Sequence, residues 1–108
     1  MTIHIEALTL NAIIGILDFE RIHKQKIIVD VMFDYLYTHN NFINYADVIH
    51  LIEEDIKIKK YELLEEALEN ISNQLFNNYP QITQLTLKIT KPNIIPHAKV
   101  ALSLTLYR

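Results

Sequence analysis

Alternation of apolar and polar positions predicts four strands in this chain. The first covers residues 2–14 and begins with the apolar series Ile3, Ile5, Ala7. The second covers residues 25–37, a run rich in β-branched and aromatic side chains, and we expect it to form a hairpin with the first. Two further alternating runs, at residues 85–90 and 100–107, predict the third and fourth strands.

Glycine and proline mark the boundaries of these strands. Gly15 is the only glycine, and it predicts a turn or a bulge because a residue without a Cβ adopts positive φ at little cost. The mostly polar segment 18–23 predicts a loop. Pro92 and Pro96 predict that the third strand stops before them, because neither has an N–H to donate to a central ladder.

Helical spacing of apolar residues predicts two helices between the second and third strands. The first begins after Asn44, which is suited to cap it, and carries Val48, Leu51, Ile52 and Ile56. The second ends near residues 77–78, before Pro80, and carries Leu64, Ala67, Leu68, Ile71 and Leu75. The order β-β-α-α-β-β predicts an α+β fold, an antiparallel four-stranded sheet with two helices on one face, formed as a single domain by residues 1–108.

The predicted sheet leaves two edges and one face without a partner. In the last two strands that face carries mostly small and polar side chains, including Thr86, Ser103 and Thr105. Long unpaired edges favour pairing with other subunits, so we expect a closed, symmetric homo-oligomer. The alternative is a monomer whose edges are protected by Lys24, Lys26, Lys88 and Lys99.

Composition narrows the class of protein further. Half of the 108 residues are hydrophobic and 21% are charged, which excludes an intrinsically disordered chain. The formal net charge is −3 and no cluster of Lys and Arg stands out, so no nucleic-acid partner is expected. No apolar run approaches the roughly 20 residues that cross a bilayer, and no secretory signal is evident. We therefore expect a cytoplasmic protein without a membrane partner.

Several kinds of active site are excluded by the residues that the chain lacks. Without cysteine there is no disulfide, thiolate metal site or thiol nucleophile. A single glycine excludes glycine-rich phosphate loops. The histidines lie at positions 4, 23, 39, 50 and 97, and none forms a local pair with metal-ligand spacing, so no metal is expected.

Three polar residues near strand ends are candidates for chemistry. In the polar stretch 20–25, which closes the first hairpin, Glu20 and Gln25 lie five residues apart, and a carboxylate and an amide there can both point into a cleft; the alternative is a solvated turn. Lys91 directly precedes Pro92, which restricts it to extended conformations and so directs its amine. An amine in a partly closed site can exchange protons, whereas the alternative is an edge lysine that prevents aggregation.

Two further candidates lie at helix starts. Tyr45 opens the first predicted helix and can stack on a flat ring, although it can equally pack as a hydrophobic staple. Glu65 lies in the first turn of the second helix, where the helix dipole favours a carboxylate. Such a carboxylate can also accept two parallel N–H bonds from an amino-pyrimidinone edge. The adjacent Glu66 is expected to face solvent.

In this order, these positions resemble the dihydroneopterin aldolase family of folate biosynthesis. The resemblance covers nearly the whole chain. It rests on Ile14-Gly15-Ile16, Asp18-Phe19-Glu20-Arg21 with Gln25, Asn44-Tyr45-Ala46-Asp47-Val48, Leu63-Leu64-Glu65, Lys91-Pro92 and Ile95-Pro96-His97-Ala98. It implies the tunnelling fold, in which four subunits join their sheets into a barrel and two such rings usually stack into an octamer. It also implies active sites between neighbouring subunits.

The resemblance further implies a role for each candidate residue. Glu65 and the backbone of Leu64 would anchor a pterin substrate, and Tyr45 of the adjoining subunit would pack on its ring. Lys91 would be the acid/base residue, Glu20 would line the pocket near the reacting end, and Gln25 would support that loop. The implied reaction is retro-aldol cleavage of 7,8-dihydroneopterin without a cofactor, a metal or a Schiff base.

Three other functions fit parts of the same pattern. A related epimerase would invert the side-chain carbinol of dihydroneopterin or its triphosphate, and a triphosphate would need cations such as His23, Lys24, His97 and Lys99. A non-catalytic oligomer that binds pterins or purines would need Glu65 and Tyr45 but not Lys91. A plain assembly module would have no affinity for pterins.

Overall fold

The computed structural model describes residues 1–108. Its elements, in chain order, are β1 (Thr2–Ala12), α1 (Asp18–Ile22), β2 (Gln25–Tyr35), α2 (Tyr45–Lys59), α3 (Leu64–Asn78), β3 (Ile82–Ile95) and β4 (Ala98–Tyr107). The four predicted strands and two predicted helices are therefore present in the predicted order. The short helix α1 is an addition, which makes the order β-α-β-α-α-β-β.

The four strands form one antiparallel sheet in the order β1-β2-β3-β4, so β1 and β4 are the two edge strands. Because side chains alternate across a strand, one set of positions shares one face. That face carries the buried residues of the central strands: Ile27, Val29, Val31 and Phe33 on β2, and Leu85, Leu87 and Ile89 on β3. The helices α2 and α3 cover it with Val48, Ile52, Ile56, Ala67, Leu68, Ile71 and Leu75.

A bulge in β1 changes the predicted alternation. The register against β2 shifts between Ile5 and Leu8, and Ala7 adopts φ 56°. The Ala7 amide donates to Asp30 Oδ1 at 2.9 Å. Ala7 is therefore exposed, and the prediction that it shares a face with Ile3 and Ile5 is wrong. A bulge adds one residue to the strand, so the inward-facing positions change from odd numbers (Ile3, Ile5) before it to even numbers (Leu8, Leu10, Ala12) after it.

The prediction that β3 stops before Pro92 is also wrong, since β3 continues to Ile95. Its pairing with β2 ends at Thr90, opposite Ile28. Beyond that point β3 pairs only with β4, and the register shifts between Lys91 and Ile95. Pro92 therefore lies where its missing N–H costs no hydrogen bond to a central ladder, which is why the strand tolerates it.

Residues 18–22 form a helix, and the prediction of a loop over residues 18–23 is wrong for them. The helix begins after Leu17, whose backbone N–H donates to the carboxylate of Glu20 at 3.2 Å. A carboxylate at the third helical position that accepts from the N-cap amide is half of a capping box. This bond directs Glu20 back toward the start of its own helix.

The predicted start of α2 and the predicted end of α3 are confirmed. Asn44 Oδ1 accepts from the amide of Ala46 at 3.0 Å, and α2 ends at Lys59, followed by the cap residue Lys60 with φ 48°. The helix α3 ends at Asn78, before Pro80. None of the helices is both long and apolar enough to cross a membrane.

The second face of the sheet bears no helix. On β3 and β4, Thr86 pairs with Thr105, their hydroxyl oxygens 3.0 Å apart, and Lys88 lies opposite Ser103. His4, Asp30 and Met32 continue this face across β1 and β2. The face is mostly polar and exposed, as its sequence predicts.

Candidate functional site

Three of the predicted site residues form one hydrogen-bonded cluster. Lys91 Nζ lies 2.7 Å from Glu20 Oε2 and forms a salt bridge with it. Gln25 Nε2 donates to the same oxygen at 2.8 Å and to the carbonyl of Ile14 at 2.7 Å. Glu20 is only 2% exposed, and Lys91 is also buried. An amine and a carboxylate are thus held together at the end of the sheet, where they can exchange or direct a proton.

The alternation of side chains along each strand explains why Gln25 and Lys91 lie close together. Lys91 lies two residues beyond Ile89, so it continues the helix-covered face of β3. Gln25 lies two residues before Ile27, so it continues the same face of β2. Because β2 and β3 are antiparallel, the start of one lies beside the far part of the other. Helix α1 then brings Glu20 to these two side chains.

The carboxyl group of Glu20 is ionised despite its burial. Burial alone raises the pKa of Glu20, because a charged group loses its hydration. The hydrogen bonds from Lys91 and Gln25, with a smaller effect of the Leu17 amide, lower the pKa by more. The pKa of Glu20 therefore lies below its usual value, and the site holds a fixed negative charge beside the amine of Lys91.

A second buried network lies next to this cluster and involves residues that the sequence analysis missed. The hydroxyl of Tyr61 donates to Asp55, whose carboxylate also accepts from Gln74 Nε2 and pairs with Lys59 Nζ, both at 2.7 Å. Burial, followed by the hydrogen bond to Asp55, raises the pKa of Tyr61 well above its usual value. This network fixes the connection between α2 and α3. The spacing of Asp55 and Lys59, one helical turn apart, is the only signal of it in the sequence.

Glu65 and Leu64 begin α3, as predicted, but they lie outside the cluster around Lys91. Leu64 is half-buried and Glu65 is exposed. Glu65 lines a cavity of about 180 Å³ together with Leu68, Glu69, Leu102, Ser103 and Leu104. Three of these residues belong to β4, so the cavity lies beside an edge strand. Glu66 does not line it.

Tyr45 is the first residue of α2 and is 63% exposed. No side-chain hydrogen bond within the chain joins Tyr45 or Glu65 to Glu20, Gln25 or Lys91. The single chain thus brings three of the six predicted site residues together and leaves the ring-binding candidates on exposed surface.

The cations considered for a triphosphate are exposed in the structure: His23, Lys24, His97 and Lys99. Lys24 lines a cavity of about 340 Å³ together with Lys57 and Lys60, two lysines that the sequence analysis did not single out for this purpose. No group of three or more His, Asp or Glu side chains is placed to hold a metal ion. The expectation that no metal takes part stays a prediction.

Comparison with known proteins shows that most of the chain matches one protein family. The family model for FolB, dihydroneopterin aldolase, matches residues 3–105. A dihydroneopterin aldolase of Haemophilus influenzae is 29% identical over an alignment of 108 positions, which covers 90% of this chain and 87% of that relative. The match therefore includes every candidate residue from Glu20 to Lys91.

Solved structures show the same fold. A dihydroneopterin aldolase of E. coli in complex with neopterin matches with a TM-score of 0.89 and 19% identity, covering 98% of each chain. A dihydroneopterin aldolase of Burkholderia thailendensis bound to guanine matches with a TM-score of 0.83 and 11% identity, covering 100% of this chain and 91% of the other. At these identities the likeness establishes the fold.

Proposed function

Because the chain belongs to the dihydroneopterin aldolase family, we propose that it cleaves 7,8-dihydroneopterin by a retro-aldol reaction into 6-hydroxymethyl-7,8-dihydropterin and glycolaldehyde. The observation that carries this proposal is the buried pair of Glu20 and Lys91, 2.7 Å apart, in a chain that matches the family over residues 3–105. Proton transfer by a positioned amine is the chemistry that such a cleavage needs.

The substrate itself supplies the electron sink for this reaction. The dihydropterin ring contains a C=N bond next to the side chain. When the hydroxyl on the leaving carbon loses its proton, the C–C bond breaks, glycolaldehyde departs and the electron pair moves into the ring. The carbon that stays on the ring is then protonated, which completes the hydroxymethyl product. The enzyme therefore needs orientation and proton transfer, and we infer that neither a Schiff base nor a metal takes part.

Lys91 is the residue that moves these protons in our proposal. Lys91 lies on β3 directly after Thr90, the residue at which pairing with β2 ends, and its amine can reach the substrate directly or through one water. Glu20 keeps the amine in place and remains charged, because its pKa lies below the usual value. Gln25 holds the Glu20 carboxylate by donating to Oε2, so its role is positional.

The pterin ring binds at the start of α3 in this proposal. Neopterin and guanine, the ligands of the two related structures, share a 2-amino-4-oxopyrimidine ring. A carboxylate can accept two parallel N–H bonds from that edge, and Glu65 offers an exposed carboxylate beside a cavity. The backbone of Leu64 supplies further contacts. Placement of Glu65 beside the edge strand β4 supports a ring site that a second subunit closes.

The assembly we propose is a homo-oligomer in which sheets join at the edges of β1 and β4 into a barrel. A ring of four subunits leaves no free edge, and two rings can stack into an octamer. The polar second face of the sheet would line the tunnel. Tyr45, which is largely exposed in the single chain, would cover the pterin bound to the neighbouring subunit.

Incubation of the purified protein with 7,8-dihydroneopterin tests the proposal. We expect 6-hydroxymethyl-7,8-dihydropterin and glycolaldehyde in equal amounts. An epimerase would instead give the substrate's epimer without glycolaldehyde, and a binding protein would give neither product. Either of these outcomes alone would overturn the proposed reaction. An aldolase that also epimerises would give both sets of products.

A further inference from the structure

Each of the two arginines of the chain donates to three backbone carbonyls. Arg21 Nη1 donates to Gly15 O at 3.1 Å and to Tyr61 O at 3.2 Å, and Nη2 donates to Lys60 O at 2.9 Å. One guanidinium therefore binds the segment at Gly15 and the segment at Lys60 and Tyr61, about 45 residues further along the sequence. A planar group with five donors is suited to this role, whereas an ammonium group is not.

The two segments joined by Arg21 lead to the two parts of the proposed active site. Gly15 precedes α1, which carries Glu20 to the amine of Lys91. Lys60 and Tyr61 precede α3, which begins with the proposed ring anchor at residues 64–65. The relative position of the acid/base pair and the anchor thus depends on this connection.

Of the two segments that Arg21 joins, the connection between α2 and α3 is held in place by other contacts. Tyr61 is 6% exposed, and its hydroxyl is held by the buried carboxylate of Asp55. Its backbone carbonyl accepts from the Gly15 amide at 2.9 Å as well as from Arg21. The Tyr61 carbonyl therefore has a defined position on which the other segment can be aligned.

The segment that contains α1 has fewer stabilising contacts of its own. A helix of five residues has too few internal hydrogen bonds to be stable by itself. The apolar residues of α1, Phe19 and Ile22, are exposed, and so are Ile16 and Leu17 just before it. Hydrophobic burial therefore holds α1 only weakly, and Arg21 supplies direct bonds from α1 to the rest of the molecule.

We propose that Arg21 is a positioning residue that sets the Glu20–Lys91 pair relative to the ring anchor at the start of α3. This inference rests on the proposed function. A displacement of about 1 Å between a reacting group and its substrate can lower a rate by about 100-fold. We expect Arg21→Met to lower kcat/KM by about 10- to 100-fold, mainly through a fall in kcat, because α1 and its acid/base pair shift relative to the ring anchor.

Arg108 provides a matched control. Its Nε donates to Ile82 O at 2.7 Å, and its Nη2 donates to Phe76 O at 2.8 Å and Tyr79 O at 3.4 Å. Phe76 and Tyr79 lie at the far end of α3, a 15-residue helix that is about 20 Å long, and Ile82 begins β3. Arg108→Met removes the same number of backbone contacts as Arg21→Met, but far from the start of α3.

The experiment compares wild type, Arg21→Met, Arg21→Lys and Arg108→Met by urea unfolding and by steady-state kinetics with 7,8-dihydroneopterin. We expect similar losses of stability in the two Met variants, and a loss of kcat/KM only in Arg21→Met. Arg21→Lys, which keeps one donor group, should recover part of that loss and provides a measurable variant if Arg21→Met does not fold. Equal kcat/KM in the Arg21 variants and Arg108→Met would overturn the inference.

A wrong proposed function would give a different result from a wrong role of Arg21. In that case wild type itself would release no glycolaldehyde. Amide hydrogen exchange then decides the inference, because the Leu17 N–H donates to Glu20 Oε1 and reports where that carboxylate lies. Faster exchange at Leu17 in Arg21→Met than in Arg108→Met, at equal global stability, would support the positioning role. Equal exchange in the two variants would contradict it.

Discussion

The carboxylate of Glu20 lies in the space that a side chain at Gly15 would fill. A Cβ built on Gly15 would collide with both carboxylate oxygens of Glu20. Gly15 also adopts φ +125°, a conformation that other residues rarely reach. Glycine is therefore required at position 15 for two reasons: the backbone has a positive φ, and the buried carboxylate of Glu20 leaves no room for a Cβ.

We predict that Gly15→Ala displaces Glu20 and weakens its bond with Lys91. Backbone strain alone should lower the free energy of unfolding by about 1–3 kcal/mol, and turnover should fall because the amine loses its partner. Urea unfolding and steady-state kinetics measure both effects. In a Glu20→Ala background the same substitution should cost less, because the carboxylate is absent. An equal cost in both backgrounds would show that Gly15 matters for its backbone only.

The acid stability of the protein should report the ionised state of Glu20. Its pKa is lower in the folded protein than its unfolded value of 4.5, so the unfolded state binds this proton more tightly. The stability contributed by Glu20 is therefore fully present above about pH 4.5 and is lost as the pH falls through the folded-state pKa. Unfolding free energies measured between about pH 6 and 3 should fall more steeply for wild type than for Glu20→Gln. Parallel curves would contradict the charge assignment.

The alternation of apolar and polar residues predicts most of the fold, because residues that face the buried side of the sheet are apolar. In β2 from Ile27 to Tyr35, and in β3 from Leu85 to Ile89, every second residue faces the helices and is apolar. Helix α1 escaped prediction because its pattern is inverted: its buried residue is Glu20, whereas Phe19 and Ile22 are exposed. A charged residue is buried here only because Lys91 and Gln25 satisfy it, and they come from distant parts of the sequence.

The site could be predicted only in part, for a similar reason. Strand phase places Gln25 and Lys91 on the helix-covered face, and a sequence can show this. The contacts of Arg21 go to backbone carbonyls, which carry no signature of residue type. The loop over residues 60–63 that presents two of these carbonyls is positioned by tertiary packing.

Pterin affinity should depend on Glu65 and not on its neighbour. Glu65→Gln removes the charge that accepts the two N–H bonds of the pyrimidinone edge. Hydrogen bonds to a charged group contribute about 1.5–3 kcal/mol, so Kd should rise roughly 10- to 100-fold. Fluorescence titration with neopterin measures this change. Glu66→Gln is the matched control, since Glu66 does not line the cavity, and a similar rise there would remove the anchor role of Glu65.

Mixed oligomers should reveal whether neighbouring subunits share an active site. We expect Tyr45→Ala and Lys91→Met to be nearly inactive as separate homo-oligomers. After joint unfolding and refolding at equal amounts, about a quarter of the sites should combine a wild-type Tyr45 from one subunit with a wild-type Lys91 from the next. Activity should therefore return to roughly that fraction of the wild-type value. If both residues served a site within one subunit, the mixture would stay inactive.

In the proposed reaction the amine of Lys91 moves the protons of a cleavage whose electrons the substrate accepts. Removing the amine alone leaves a buried carboxylate without its partner, which can cost about 3–5 kcal/mol of stability. The double variant Glu20→Gln/Lys91→Met removes both charges and should recover much of that stability. Lys88→Met, an exposed lysine on the same strand, is the control for substitution on β3.

The most direct measurement is the rate of glycolaldehyde release at saturating 7,8-dihydroneopterin in wild type, Lys91→Met, the double variant and Lys88→Met. We predict that kcat falls about 100- to 10,000-fold in both variants that lack Lys91, with little change in KM, and that Lys88→Met retains wild-type turnover. A folded Lys91→Met protein that releases glycolaldehyde at close to the wild-type rate would show that Lys91 does not move these protons.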